Sequence, residues 1–276
     1  MKKILTVVFV LLSFYGVAQK KDGWIQLFNG KDLKNWDIKI KGYPLNENFG
    51  NTFRVQNGYL TVNYDKYDQW NERYGHIFYK QKFSAYLLVM EYRFTGEQIK
   101  GGPGWAFRNS GAMLHSQLAS TMKLDQDFPV SLEMQLLGGD GKNDRSTANL
   151  CTPGTNVVIK GSLFKPHCIN SNSKTYPGDQ WVRVEALVLG DSIIHHIVQG
   201  DTVLSYTQPQ IDGADGLFDP KLFKDKQLIK DGFISLQSES HQVEFRKVEL
   251  FDLEKYMQNP KKLQQKLQEL NDRKDH

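Results

Sequence analysis

Residues 105–117 read WAFRNSGAMLHSQ and, after a polar spacer, residues 128–139 read FPVSLEMQLLGG. They place Arg108, Asn109, His115, Glu133 and Gln135 on two short strand-like runs that can pair across a sheet. Alternation in Ser131-Leu132-Glu133-Met134-Gln135-Leu136 sends Leu132, Met134 and Leu136 to one face and Glu133 and Gln135 to the other. Two polar side chains standing together on one sheet face mark a candidate active surface.

Outward from this stretch the pattern stays β. Phe53-Arg54-Val55-Gln56 and Tyr59-Leu60-Thr61-Val62 flank Asn57-Gly58, the dipeptide of a type I′ hairpin. Leu88, Met90, Tyr92 and Phe94 alternate with Glu91 and Arg93, and residues 181–189 and 192–198 flank Gly190-Asp191. Residues 138–178 are rich in Gly, Asn, Ser, Thr and Pro and read as a long insertion. Only the tail reads as helix: Asn259 as its cap, Pro260 in the first turn, and Leu263, Leu267 and Leu270 on one face. Many strands without βαβ alternation predict an all-β protein, one antiparallel β-sandwich with a short C-terminal helix.

The N-terminus carries an export pattern: Lys2 and Lys3, an apolar run from Ile4 to Tyr15, and a small-residue site ending at Ala18. Three segments are expected: a signal peptide over 1–18, a β-sandwich over 19–252 and a helical tail over 253–276. Cleavage near Ala18 leaves about 258 residues, periplasmic or secreted and with no membrane span. Loss of Lys2 and Lys3 takes the formal charge from +4 to +2. The remaining charges are dispersed, with no basic stripe for nucleic acid. The two cysteines, Cys151 and Cys168, predict a disulfide in an oxidising compartment, worth roughly 3 kcal/mol by loop closure; two buried thiols are the alternative.

No G-x-S-x-G elbow surrounds Ser110, and no H-E-x-x-H or C-x-x-C pattern signals a metal. No cofactor is expected, and a divalent metal using Glu133 and a histidine is left open. A retaining glycosidase needs two carboxylates about 5–5.5 Å apart, and the Glu133 strand supplies only one. Glu91 or Glu239 would have to bring the second from another strand. Arg108, Asn109, Glu133 and Gln135 suit sugar hydroxyls, with Trp70, Trp105, Tyr74 and Tyr79 as faces for a pyranose. His76, His115 and His167 are further candidates to line the site, and His195-His196 in one strand points to opposite faces.

Several pieces together resemble the 3-keto-disaccharide hydrolase family, also described as 3-keto-glucoside 1,2-lyases and 3-keto-2-hydroxy-glucal hydratases. They are residues 23–33 (GWIQLFNGKDL) with Trp36, Leu88 to Phe94, Asn109-Ser110-Gly111, Glu133 to Leu136, Asp179-Gln180-Trp181, Ile234 to Gln237 and Val243 to Val248. The resemblance implies a concanavalin-like jelly roll with a 3-keto-glycoside on its concave face. A C3 ketone acidifies the C2 proton, whose loss can expel the C1 substituent. On that chemistry His115 or Glu133 is the base, and Arg108, Asn109 or Gln135 holds the keto oxygen. Trp105, His76, His167 and Glu239 complete the expected substrate contacts. The same sandwich can also serve as a non-catalytic carbohydrate-binding module or an endo-glucanase-like hydrolase. The oligomeric state is not legible.

Overall fold

The computed structural model describes residues 20, 21 and 23–272; the expected signal peptide over 1–18 lies outside them. Two antiparallel sheets face each other. The larger runs in the order Lys20–Lys21, Trp24–Gln26, His241–Asp252, Ala85–Gln98, Val182–Leu189, Ile193–Val198, Asp201–Ile211, Thr155–Ile159, Ser162–Phe164. The hairpin of Phe53–Gln56 and Tyr59–Val62 joins it beside His241–Asp252, and both turn residues, Asn57 and Gly58, have positive φ as a type I′ turn requires. The smaller sheet runs Cys168–Ile169, Asn149–Cys151, Leu132–Leu137, Asn109–Ser116, Phe233–Ser238, Gly75–Tyr79, Trp36–Ile40.

The core lies between the sheets because alternate residues of both point there. Leu88, Met90, Tyr92 and Phe94 of the larger sheet meet Leu132, Met134, Leu136, Ala112, Leu114 and Ile234 of the smaller. The expected all-β sandwich is therefore present, with one described α-helix at its end. That helix, Pro260–Asp272, starts as its cap residue dictates: the Lys262 amide donates to Asn259 Oδ1 at 3.1 Å. Leu263, Leu267 and Leu270 pack on Leu87, Val89, Phe251 and Leu253, on the face of the larger sheet turned away from the core. No described helix is long and apolar enough to cross a membrane.

The stretch 138–178, read as a long insertion with few periodic apolar runs, holds four short strands. Asn149–Cys151 and Cys168–Ile169 extend the smaller sheet, while Thr155–Ile159 and Ser162–Phe164 extend the larger. Each is five residues or fewer, too short for a period-2 pattern to stand out, and the Thr155–Ile159 pairing carries a register shift. Cys151 and Cys168 sit opposite each other on paired strands and form the disulfide.

Candidate active site

The outer face of the smaller sheet follows from register. Met113 stands opposite Glu133, and Gly111 opposite Gln135. Their neighbours Ala112, Leu114, Met134 and Leu136 enter the core, so Met113, Glu133 and Gln135 point outward. On the adjoining strand Ser235 is paired with Met113, and Gln237 with His76. Ile234 and Leu236 are buried in the core, which turns Ser235 and Gln237 to the same outer face as Glu133. One step beyond the Leu236–Ala112 pair, Gln237 is level with Gly111. The Ser110 hydroxyl donates to the Gln237 carbonyl at 2.9 Å and ties these two strands together.

Gly111 has a specific use. A Cβ on it would come within 2.4 Å of Glu133 Oε1 and 2.8 Å of Glu133 Cγ, so the carboxylate lies across the missing side chain. Glu133 is thereby held toward Gln237 and Gln135 at 6% exposure. Gln135 Oε1 accepts from Asn149 Nδ2 at 3.1 Å, which fixes the amide and leaves its NH2 free to donate.

Buried polar atoms ordinarily find partners. Here Glu133 Oε1, both side-chain polar atoms of Gln237, both ring nitrogens of His76, Ser235 Oγ, Asn109 Oδ1 and Glu239 Oε2 are buried without one. Such a concentration on one sheet face is a set of donors and acceptors that the described residues leave open, and it makes this face the candidate site. Burial raises the Glu133 pKa, and burial followed by the charge of Glu133 raises that of Glu239. Two neighbouring carboxyls of this kind share charge poorly: one ionises and the other keeps its proton. Burial also lowers His76 to about 3, so its ring is neutral at physiological pH.

An aromatic wall stands beside this floor. Phe128 meets His76 and Tyr74 at ring separations of 6.1 and 4.9 Å, and Trp105 stacks on Tyr74 at 6.5 Å with 12° between planes. Trp105 is 56% exposed, which presents a flat apolar face to solvent. The Tyr74 hydroxyl is raised by burial and then by the charge of Glu239, which sets this wall close to the second acid.

Over residues 23–250 the sequence matches the 3-keto-alpha-glucoside-1,2-lyase-like domain. The chain belongs to this family. Membership places it among carbohydrate-active proteins. In fold, a Parabacteroides distasonis ATCC 8503 protein provisionally described as a glycosyl hydrolase is similar at 19% identity and TM-score 0.48, over 83% of this chain and 99% of that one. The laminarinase from Rhodothermus marinus is similar at 9% identity and TM-score 0.45, over 79% of this chain and 90% of the other. No protein of curated function matches in sequence.

In this member of the lyase-like family, the structure brings together on one face Glu133, Gln135, Asn109, His76 and Glu239, with Trp105 reaching them through Tyr74. Arg108 sits immediately before Asn109, its Nη1 donating to the Gly139 carbonyl at 2.9 Å. Two expected residues stand apart. His115 has φ 48° at a register shift of its strand and turns toward the larger sheet, where Nε2 lies 3.2 Å from the Gly190 carbonyl and the ring edges Tyr86. It lines a separate cavity of about 680 Å³ with Lys82, Phe223 and Asp231. A bulge is the physical reason: the extra residue re-aims the side chain that simple alternation would have put beside Glu133. His167 is exposed next to the disulfide and lines a cavity of about 440 Å³ beyond Phe128. Its ring and the two cysteine sulfurs lie within 4.8 Å of one another, yet both sulfurs are committed to the disulfide. No comparable trio of metal-ligating atoms forms around Glu133 among the described residues.

Gln237 and Ser235 were not among the sequence candidates, whereas Tyr74 was, as an apolar face for a sugar ring. Ile234-Ser235-Leu236-Gln237 alternates as Leu132 to Gln135 does, and that repeat of the same polar-out pattern is the signal that could have found them.

Proposed function

We propose that this protein cleaves 3-keto-glycosides by proton abstraction at C2, on the outer face of its smaller sheet. The observation that carries the reading is the Glu133 carboxylate, laid across Gly111 with Oε1 unpartnered and a second buried carboxyl, Glu239, beside it. Elimination from a 3-keto sugar requires one base and one acid, and a pair of neighbouring carboxyls with raised pKa values supplies both near neutral pH.

In this reading Glu133 takes the C2 proton and the electrons pass to the C3 oxygen as an enolate. Amide NH2 donors of Gln237, Asn109 or Gln135 and the neutral His76 ring stabilise that oxygen. Collapse breaks the C1–O bond, and Glu239, kept protonated by burial and by the charge of Glu133 beside it, delivers its proton to the leaving oxygen. Water added across the resulting double bond, proton to C2 and hydroxide to C1, completes net hydrolysis. Trp105 and Tyr74 offer the apolar face on which a sugar ring packs. Export of the mature chain fits the disulfide.

One rival has a specific observation behind it. The second acid that the Glu133 strand lacks is brought by Glu239, so a two-carboxylate glycosidase acting on unoxidised sugars has its minimum equipment. Incubating the protein with matched 3-keto and ordinary glucosides in D2O separates the two. The elimination route gives cleavage of the keto substrate alone, with deuterium entering at C2. Cleavage of ordinary glucosides without C2 exchange rejects it.

A further inference from the structure

Past the end of the catalytic face, two guanidinium groups converge on one loop, neither of them in an ion pair among the described residues. Arg145 Nη1 donates to the carbonyls of Phe107 and Gly138, at 2.8 and 2.6 Å, and Arg108 Nη1 to the next carbonyl, Gly139, at 2.9 Å. Both side chains bond through Nη1 alone, and Arg108 Nε is buried with no partner. The acid whose charge acts on Arg145, Asp140, is half-buried and already accepts from the amides of Lys142 and Asn143 and from the Asn143 side chain.

Between them sits Phe107, with the Arg108 guanidinium 5.3 Å from its ring centre and His241 edging it at 5.0 Å. His241 is 1% exposed; no side chain bonds either ring nitrogen, and the Gly96 backbone is the one hydrogen-bonding group acting on its ring. After burial, the charges of Arg108 and Arg145 are what lower its pKa, so the three groups lie within reach of one another. Cations pressed together on a carbohydrate-active face, with fork donors unspent, are stabilised by an oxyanion that accepts from them bidentately.

We propose that Arg108, Arg145 and His241 form a subsite for a compact oxyanion carried by the sugar substrate, a carboxylate or a sulfate or phosphate ester. Arg108 lies three residues from Gly111, roughly 10 Å at the rise of a strand, so the charged group sits away from the reacting carbon, on the outer part of the substrate. That placement rests on the function proposed above; the anion preference itself does not.

Titration of the wild-type protein by calorimetry with methyl glucoside, methyl glucuronide, glucose 6-sulfate and glucose 6-phosphate, none of which can undergo C2 elimination, tests the subsite apart from the chemistry. At low ionic strength at least one charged sugar is expected to bind about tenfold or more tightly than the neutral one, a gap of about 1.4 kcal/mol. Arg108→Gln abolishes that gap, and high salt narrows it. The carboxylate arm and the ester arms tell which oxyanion is recognised. Equal affinity for charged and neutral sugars, no measurable binding of any charged sugar, or an unchanged gap in folded Arg108→Gln overturns the proposal. Arg145→Gln, checked for folding by circular dichroism, is the second variant, and competition by inorganic sulfate in the wild type needs no variant at all. Failure of the 3-keto assay with the gap intact sinks only the reaction; the reverse pattern sinks only the subsite.

Discussion

The Glu133 carboxylate occupies the space where a side chain on Gly111 would stand, 2.4 Å from the position of its Cβ. Residue 111 is therefore part of how the acid is aimed. Gly111→Ala adds one methyl group on the outer face, leaves the core untouched and forces Glu133 to turn. A displacement of about 1 Å at a reacting group costs on the order of 10²-fold in rate. The expected result is a kcat reduced by about that factor with the melting temperature nearly unchanged.

Glu133→Gln keeps the shape and removes the ionisable group. Loss of a general base lowers kcat by roughly 10²–10⁴-fold. The same change relieves a buried carboxylate that lacks a partner, so at pH 8 the variant is expected to be more stable than the wild type by roughly 1–3 kcal/mol. Denaturant melts at that pH check the second half independently of any substrate.

Stability against pH follows from opposed groups. The Glu133 pKa is raised from its ordinary 4.5 to about 8, so the folded state holds a proton that the unfolded chain has lost, and stability falls as pH climbs through that window. His76 and His196 are lowered from 6.5, to about 3 and about 4, so the unfolded chain binds protons first and stability falls as pH drops below 6.5. Between 4.5 and 6.5 the two effects offset each other. A decline from pH 6.5 to 8 that Glu133→Gln makes shallower, with the buried Glu239 carrying the remainder, is the expected profile, measured as the unfolding midpoint across buffers.

His115 contacts the Gly190 carbonyl and Tyr86, and the acids stand on the other face of its sheet. His115→Ala is expected to lower the melting temperature while kcat stays within about threefold of the wild type, the behaviour of a residue outside the reacting groups. A kcat loss matching that of Glu133→Gln would restore it as the base.

The disulfide joins Cys168 to Cys151, and Cys151 pairs directly with Glu133. Replacing both cysteines by serine is expected to destabilise by roughly 2–5 kcal/mol and to lower kcat as well, because the strand flanking Glu133 loses its outer tie. Denaturation and turnover of the double variant, against the oxidised wild type, measure both.

Much of the fold was legible from local pattern. The alternation around Glu133 set which residues face the core, Asn57-Gly58 specified its hairpin, and Asn259-Pro260 opened the helix at the expected place. These signals depend on a few residues and their own backbone geometry, so they survive without knowledge of any partner. The strands within 138–178 were not legible, since each is short and gains its order from pairing with distant segments.

The sequence by itself determined the sandwich class, the cysteine pair and the outward direction of Glu133 and Gln135, all consequences of period-2 alternation and turn chemistry. Tertiary structure alone decided that Glu239, Gln237 and His76 stand around Glu133, that Gly111 makes room for it, and that a bulge carries His115 elsewhere. The physical reason is that alternation fixes a side chain's face, whereas which strands lie next to each other, and in what register, is set by long-range pairing that no local run of residues encodes.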